Sequence, residues 1–156
     1  DYFDKMNIEL NKLTSNIHTG SNLIDVIIDD IRGRYPSVEF KWEGHIENDL
    51  RLSQMDLCTL FSNLISNAFE AAEFCNDKRV NICVKFLEST LFINVENTYF
   101  KEPIIKDNEF ISIKSGEGHG YGMQNIKECL IKYNGHMDND YCNGIFITDI
   151  VIPNAI

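Results

Sequence analysis

Two asparagines placed four residues apart raise the first question of chemistry: Asn63 and Asn67, in the stretch Asn63-Leu64-Ile65-Ser66-Asn67-Ala68-Phe69-Glu70-Ala71-Ala72. Asparagine is a poor helix-interior residue, because its amide competes with the backbone for hydrogen bonds. The surrounding pattern is nevertheless helical. Leu57, Leu60, Phe61, Leu64, Ala68 and Ala72 form an apolar stripe, and Asp56, Thr59, Asn63, Asn67 and Glu70 follow one another at steps of three or four as a polar row. Such a row has two readings: a solvated helix face of neutral polar groups, or a set of carboxamide oxygens pointed into a ligand site. Amide and carboxylate oxygens are hard ligands that suit Mg2+, an ion that keeps several waters and is shared with nucleotide phosphates.

A second stretch is Ser115-Gly116-Glu117-Gly118-His119-Gly120-Tyr121-Gly122-Met123, with glycine at every second position. Glycine allows positive φ and lets a backbone come close to phosphates. A helical stripe follows at once (Ile126, Cys129, Leu130, Tyr133), so N-terminal amides and the helix dipole face the same place. No Gly-Lys-Ser/Thr follows, which excludes a Walker loop, and the G-x-G-x-G spacing after a loop does not fit a dinucleotide-binding fingerprint. The alternative is a flexible turn.

The elements that must hold these stretches can be read from periodicity. Phe3, Met6, Leu10, Leu13 and Ile17 step by three and four, as one amphipathic core helix or the end of a helical dimerisation stalk. Thr19-Gly20-Ser21 breaks that pattern, and Ile24, Ile27, Ile28 and Ile31 make a new helix that ends at Tyr35-Pro36. Val38, Phe40 and Trp42 alternate with charges as a strand. Ser53-Gln54-Met55-Asp56 has the form of a capping box opening a helix to about Phe74. Val80 to Phe86 and Leu91 to Val95 alternate around a short turn as an antiparallel hairpin. Residues 98–119 show no sustained period, and a loop of that length in a compact domain tends to be a functional lid. Asn134-Gly135 closes the last helix as a left-handed cap, and Asn143-Gly144 is a hairpin turn between 136–141 and 145–152. This order predicts an α/β sandwich: one mixed, mainly antiparallel sheet with helices on one face.

Composition narrows the partners. The 156 residues suit one domain, and a net charge of −10 disfavours nucleic acid and anionic membranes. It does not exclude a phosphate ligand, which backbone amides and a metal can hold locally. Cys58, Cys75, Cys83, Cys129 and Cys142 are odd in number and lack C-x-x-C spacing, which argues for a reducing, cytosolic setting rather than a zinc site or disulfides. The chain opens on Asp1 rather than Met, so a piece of a longer protein is expected. No apolar run reaches the roughly 18 residues of a membrane span.

Taken together, "NLISNAFEAA" and "GHGYGMQNIKECLIKYNG", in that order and about fifty residues apart, resemble the N-box and second glycine box of the GHKL ATPase superfamily. More narrowly they resemble the catalytic domain of Agr-type, peptide-responsive quorum-sensing histidine kinases, over about Thr19 to Pro153. The resemblance implies a Bergerat-type fold over 19–156 after a stalk helix, residues 1–18, that ends a dimerisation hairpin. It implies ATP and Mg2+ as cofactors, Asn67 as the metal ligand and Asn63 beside it at the phosphates. Lys114, Gly118, His119, Gly120, Tyr121, Gly122 and Met123 would wrap the triphosphate under a lid formed by 98–119. The family's first glycine box, D-x-G-x-G, is missing; its place is taken by Val95-Glu96-Asn97-Thr98, so Asn97 would contact adenine. Glu70 replaces the cation that many histidine kinases carry three residues after the metal asparagine. Hydrolytic GHKL members carry a glutamate base four residues before that asparagine; this chain has Asn63, which favours phosphoryl transfer. The implied protein is the cytoplasmic domain of a membrane-anchored sensor, homodimeric when full-length. It would phosphorylate a histidine on its own dimerisation helices, other than His18, and pass the group to a response regulator. The rival reading is a degenerate domain that acts as a regulatory interaction module.

Overall fold

Hydrophobic spacing and end signals place the helices. Residues 17–100, 104–106, 109–111 and 121–156 are described by the computed structural model. Helix α1 (Asn22–Arg34) starts at Ser21, whose hydroxyl accepts the Ile24 amide at 3.4 Å, and stops at Tyr35, before Pro36. Ile24, Ile28 and Ile31 on one face are fully buried. Strand β1 (Glu39–Glu43) follows, with Phe40 and Trp42 turned inward between exposed charges. Helix α2 (Gln54–Glu73) begins at Ser53, whose hydroxyl accepts the Asp56 amide at 3.1 Å. Strands β2 (Arg79–Leu87) and β3 (Thr90–Thr98) form the expected hairpin, with Glu88 at φ 53° in its turn. Two three-residue strands, β4 (Ile104–Lys106) and β5 (Glu109–Ile111), pair with each other. Helix α3 (Tyr121–Lys132) ends at Asn134, in the left-handed region at φ 52°. Strands β6 (His136–Cys142) and β7 (Ile145–Ile152) are joined by Asn143 and Gly144, both at positive φ.

The five-stranded sheet has the order β1-β2-β3-β7-β6. Only β1–β2 is parallel, with α2 carrying the chain between those two strands; β2–β3 and β6–β7 are antiparallel hairpins, and the two hairpins meet in the antiparallel pair β3–β7. Val80, Ile82 and Val84 of β2, Leu91, Ile93 and Val95 of β3, and Thr148, Ile150 and Ile152 of β7 are buried toward the helices. The alternate residues face solvent, so a slip of one residue would invert both faces. All three helices cover one side of the sheet, α1 and α3 flanking α2. This is the sandwich expected from the sequence.

Two readings need adjustment. The segment 98–119 is not wholly without regular structure: β3 runs through Thr98, and β4 and β5 lie within it. Strands of three residues are too short to show a period. Helix α2 is also more deeply buried than its apolar stripe suggested. Ile65 and Phe69 are fully buried too, with Phe69 against Phe40 at 5.4 Å and Tyr35 at 6.2 Å between ring centres, and Phe61 against Trp42 at 6.0 Å. The stalk helix expected over 1–18 lies almost wholly outside the described residues; Ile17 packs against the core.

The connection from β1 to α2 gathers both ends of the described chain. The Ile46 amide donates to the Thr19 carbonyl at 2.7 Å, and the Arg51 amide to the Ala155 carbonyl at 2.7 Å. Thr19 is fully buried, its amide and hydroxyl both donating to the Asp25 carboxylate at 2.8 and 2.7 Å. At the start of this connection Gly44 has φ +104°, and a Cβ there would lie 1.9 Å from the Val84 carbonyl oxygen. Left-handed strain and a backbone clash coincide, so Gly44→Ala is expected to destabilise the fold by about 2 kcal/mol or more. Urea unfolding of the two proteins checks this.

Candidate functional site

From Thr59 to Glu70 the polar row of α2 is half-buried. Asn63 and Asn67 are half-buried, between the buried Leu60, Leu64 and Ala68. The Asn63 side-chain nitrogen donates to the Thr59 carbonyl, one turn back, at 2.6 Å. Back-bonding of this kind is how a short polar side chain is tolerated inside a helix. It commits the nitrogen and leaves the amide oxygen facing outward. That oxygen meets Gly122: a Cβ on Gly122 would lie 3.1 Å from Asn63 Oδ1 and 3.2 Å from both amide atoms of Asn67. The asparagine pair and the last glycine of the glycine-rich stretch are therefore in one place. The missing side chain lets the first turn of α3 come this close without displacing either amide.

Helix α3 lies antiparallel along the first half of α2, and its other end is also fastened there. Lys132 donates to Asp56 Oδ1 at 2.9 Å, and the Tyr133 hydroxyl donates to Asp56 Oδ2. The Tyr133 hydroxyl in turn accepts the Ser53 amide at 3.2 Å. Asp56 is 9% exposed. The sequence placed Asp56 in the polar row with the asparagines; the structure keeps it there, on the face that meets α3, and gives it partners at the far end of that helix. In a capping box the acidic side chain returns to the cap amide. Here Tyr133 holds that amide, and the carboxylate is spent on the neighbouring helix. The hydrogen bonds from Tyr133, then Lys132, hold the Asp56 carboxyl below its usual pKa, against the opposing effect of burial.

Asn97 is 5% exposed near the end of β3 and faces the helix side, in register with Phe146 of β7. Its side-chain nitrogen donates to the Thr98 carbonyl at 3.0 Å, which leaves the oxygen as the acceptor of the group. Tyr121 is 67% exposed at the first position of α3, whereas Met123 packs against the core. Lys114, Gly118, His119 and Gly120 lie outside the described residues, as do residues 101–103, 107–108 and 112–119 of the expected lid. Glu70 is half-buried on the same row, and its charge adds to burial in raising the Tyr35 pKa. A recess of about 280 Å3 on the opposite face of the sheet, lined by Lys41, Glu43, Asn81, Cys83, Asn94 and Glu96, is remote from the asparagines.

Among the described residues no group of three or more His, Cys, Asp or Glu side chains could hold a metal ion. At the asparagines the structure shows two carboxamide oxygens, which a cation would share with its own waters or a ligand's oxygens. That donor set fits Mg2+ and not a soft metal.

The model of the GHKL domain family matches residues 52–153. The chain belongs to the GHKL family. Its fold is that of histidine kinase catalytic domains. A mycobacterial sensor histidine kinase, MprB, is 18% identical with a TM-score of 0.67, over 84% of this chain and 93% of that one. The catalytic domain of the histidine kinase ThkA is 17% identical with a TM-score of 0.68, over 85% and 90%. Full-length ShkA, solved in complex with AMPPNP, is 14% identical with a TM-score of 0.64, over 85% of this chain and 29% of that one. At such identities the likeness is one of fold. No curated protein matches the sequence. No helix among the described residues is long and apolar enough to cross a membrane.

Two outcomes follow from this geometry. Gly122→Ala gains helix propensity, up to about 1 kcal/mol, but crowds both asparagines. It should leave the fold intact while moving the side-chain amide NMR signals of Asn63 and Asn67; unmoved signals would contradict the close approach. The Asp56 bonds act through a depressed pKa. Their stabilisation is complete above the unfolded value, about pH 4, and is lost as pH falls through the lower folded value. Asp56→Asn should be less stable than wild type at neutral pH, with the two stability curves converging below about pH 4. Denaturant titrations over pH 2–7 read this.

Proposed function

We propose that this GHKL domain is the ATP-binding catalytic domain of a sensor histidine kinase in a two-component system, of the Agr type. The observation that carries the reading is the meeting of Gly122 with Asn63 and Asn67. It joins oxygen donors to the N-terminal turn of a helix, where free amides and the helix dipole favour an anion. Asn67 would be the metal ligand, with Asn63 beside the phosphates. Bound Mg2+ would neutralise charge on the transferring phosphoryl group. Gly122, Tyr121 and Met123 place backbone at the phosphates, and Lys114, Gly118, His119 and Gly120 keep the roles that the family resemblance implies. The Asn97 oxygen would accept from the adenine amino group, by a weaker bond than a carboxylate makes.

Asn63 bears on the reaction type. An amide does not take a proton from water at neutral pH, so hydrolysis lacks a base at this position and transfer to a protein histidine is favoured. The acceptor would lie on dimerisation helices, of which residues 1–18 are the end, in a full-length homodimer. The group would pass from there to a response regulator. The domain would be the cytoplasmic part of a membrane-anchored sensor.

A second reading, an interaction module that has lost ATP, draws on Glu70 and on the uncharged Asn97. Calorimetric titration of ATP with and without Mg2+ separates the two. The kinase reading expects magnesium-dependent binding that Asn67→Ala abolishes. Unchanged affinity in that variant would sink it, and a folded wild-type domain that binds no adenine nucleotide would establish the module.

A further inference from the structure

The hydrogen bonds among Asp56, Lys132, Tyr133 and Ser53 join the ends of two helices at a distance from the asparagines. We infer that Asp56 is a positioning residue for the nucleotide site, setting through α3 the register at which Gly122 meets Asn63 and Asn67. This rests on the proposed nucleotide function for its consequence, and on geometry alone for its mechanism.

The geometry is that of a rod held at both ends. Helix α3 has 12 residues and spans about 18 Å. Its first turn carries Gly122 against the asparagines. Its last turn and the residue after it carry Lys132 and Tyr133 onto Asp56. Between the ends, Ile126, Cys129 and Leu130 pack into the core, and the Cys129 thiol reaches the Asp56 carbonyl at 3.6 Å. The packing of these side chains between the ridges of α2 holds α3 laterally and sets its position to within a side-chain groove. The hydrogen bonds to Asp56 are directional, and two of them converge on a largely buried carboxylate that needs partners there. The other end is in close approach: a Cβ added at Gly122 would lie only 3.1–3.2 Å from the asparagine amides, so displacing α3 along α2 changes where its first-turn amides stand relative to the Asn63 and Asn67 oxygens. The carboxylate therefore acts about ten residues away from the groups it aligns, along a stiff helix.

The test uses Tyr133→Phe, which keeps the ring in place and removes the hydroxyl's bonds to Asp56 and from the Ser53 amide, beside Asp56→Asn, which keeps one acceptor oxygen and puts a donor NH2 where the second was. Two readouts are taken on each folded variant: the NMR signals of the Gly122 amide and the Asn63 and Asn67 side-chain amides without ligand, and the magnesium-dependent affinity for ATP. The inference expects those distant signals to move in Tyr133→Phe and affinity to fall about 10-fold, the scale seen when outer-shell supports of a metal site are removed. Asp56→Asn, which also loses the charge that Lys132 meets, should show changes of the same kind and at least as large. Changes confined to residues around Asp56, with affinity intact, would overturn it and leave a purely structural bond. If wild-type protein binds no nucleotide, the functional reading fails, and the ligand-free signals alone still decide whether Asp56 sets the register. If either variant unfolds, the other carries both readouts; unfolding of both overturns the inference in favour of a stability role.

Discussion

Burial of α2 is the constraint on which the rest depends. A helix pressed on the sheet and flanked by two others has few directions left for polar groups, so each one on it must be answered. Ser53 caps it, Asp56 is answered by α3, and Asn63 answers itself by bonding one turn back. What remains is a narrow polar strip from Thr59 to Glu70, beside fully buried Phe61, Ile65 and Phe69. A site built on such a helix is stiff, because moving its oxygens means moving the core.

The same packing explains why the glycine-rich stretch ends where it does. Helix α3 crosses α2 with no side chain on its first turn at the contact, where a Cβ on Gly122 would crowd both asparagines. Close packing and ligand chemistry thus ask for the same residue. A phosphate-directed helix end and a tight helix contact are usually separate requirements; in the proposed nucleotide site one glycine would meet both.

Much of this was legible in the sequence. The hairpin turn at Asn143-Gly144, the cap at Asn134, the capping serine and the alternating strands are local signals, and the structure has each in place. The pairing of the two chemical stretches was legible only through their resemblance to a family, since nothing local in residues 63–67 refers to residue 122. Three features were hidden. The direction of Asp56 depends on Lys132 and Tyr133, some 76 and 77 residues away. The burial of Ile65 and Phe69 depends on α1 and β1 reaching around α2, which an apolar stripe on α2 alone does not encode. Strands β4 and β5 are too short to carry a period. In each case the missing information was tertiary.

The connection between β1 and α2 illustrates a different consequence. Its residues Ile46 and Leu52 are buried, and its backbone receives both Thr19 and Ala155. By length and place it is the kind of surface loop in which an engineer would insert a tag or split the chain. It is instead the knot in which the incoming and outgoing ends of the domain are tied. An insertion there would loosen three segments at once, whereas the β6–β7 turn, where a Cβ on Gly144 would meet nothing within 4 Å, offers open space for the same purpose.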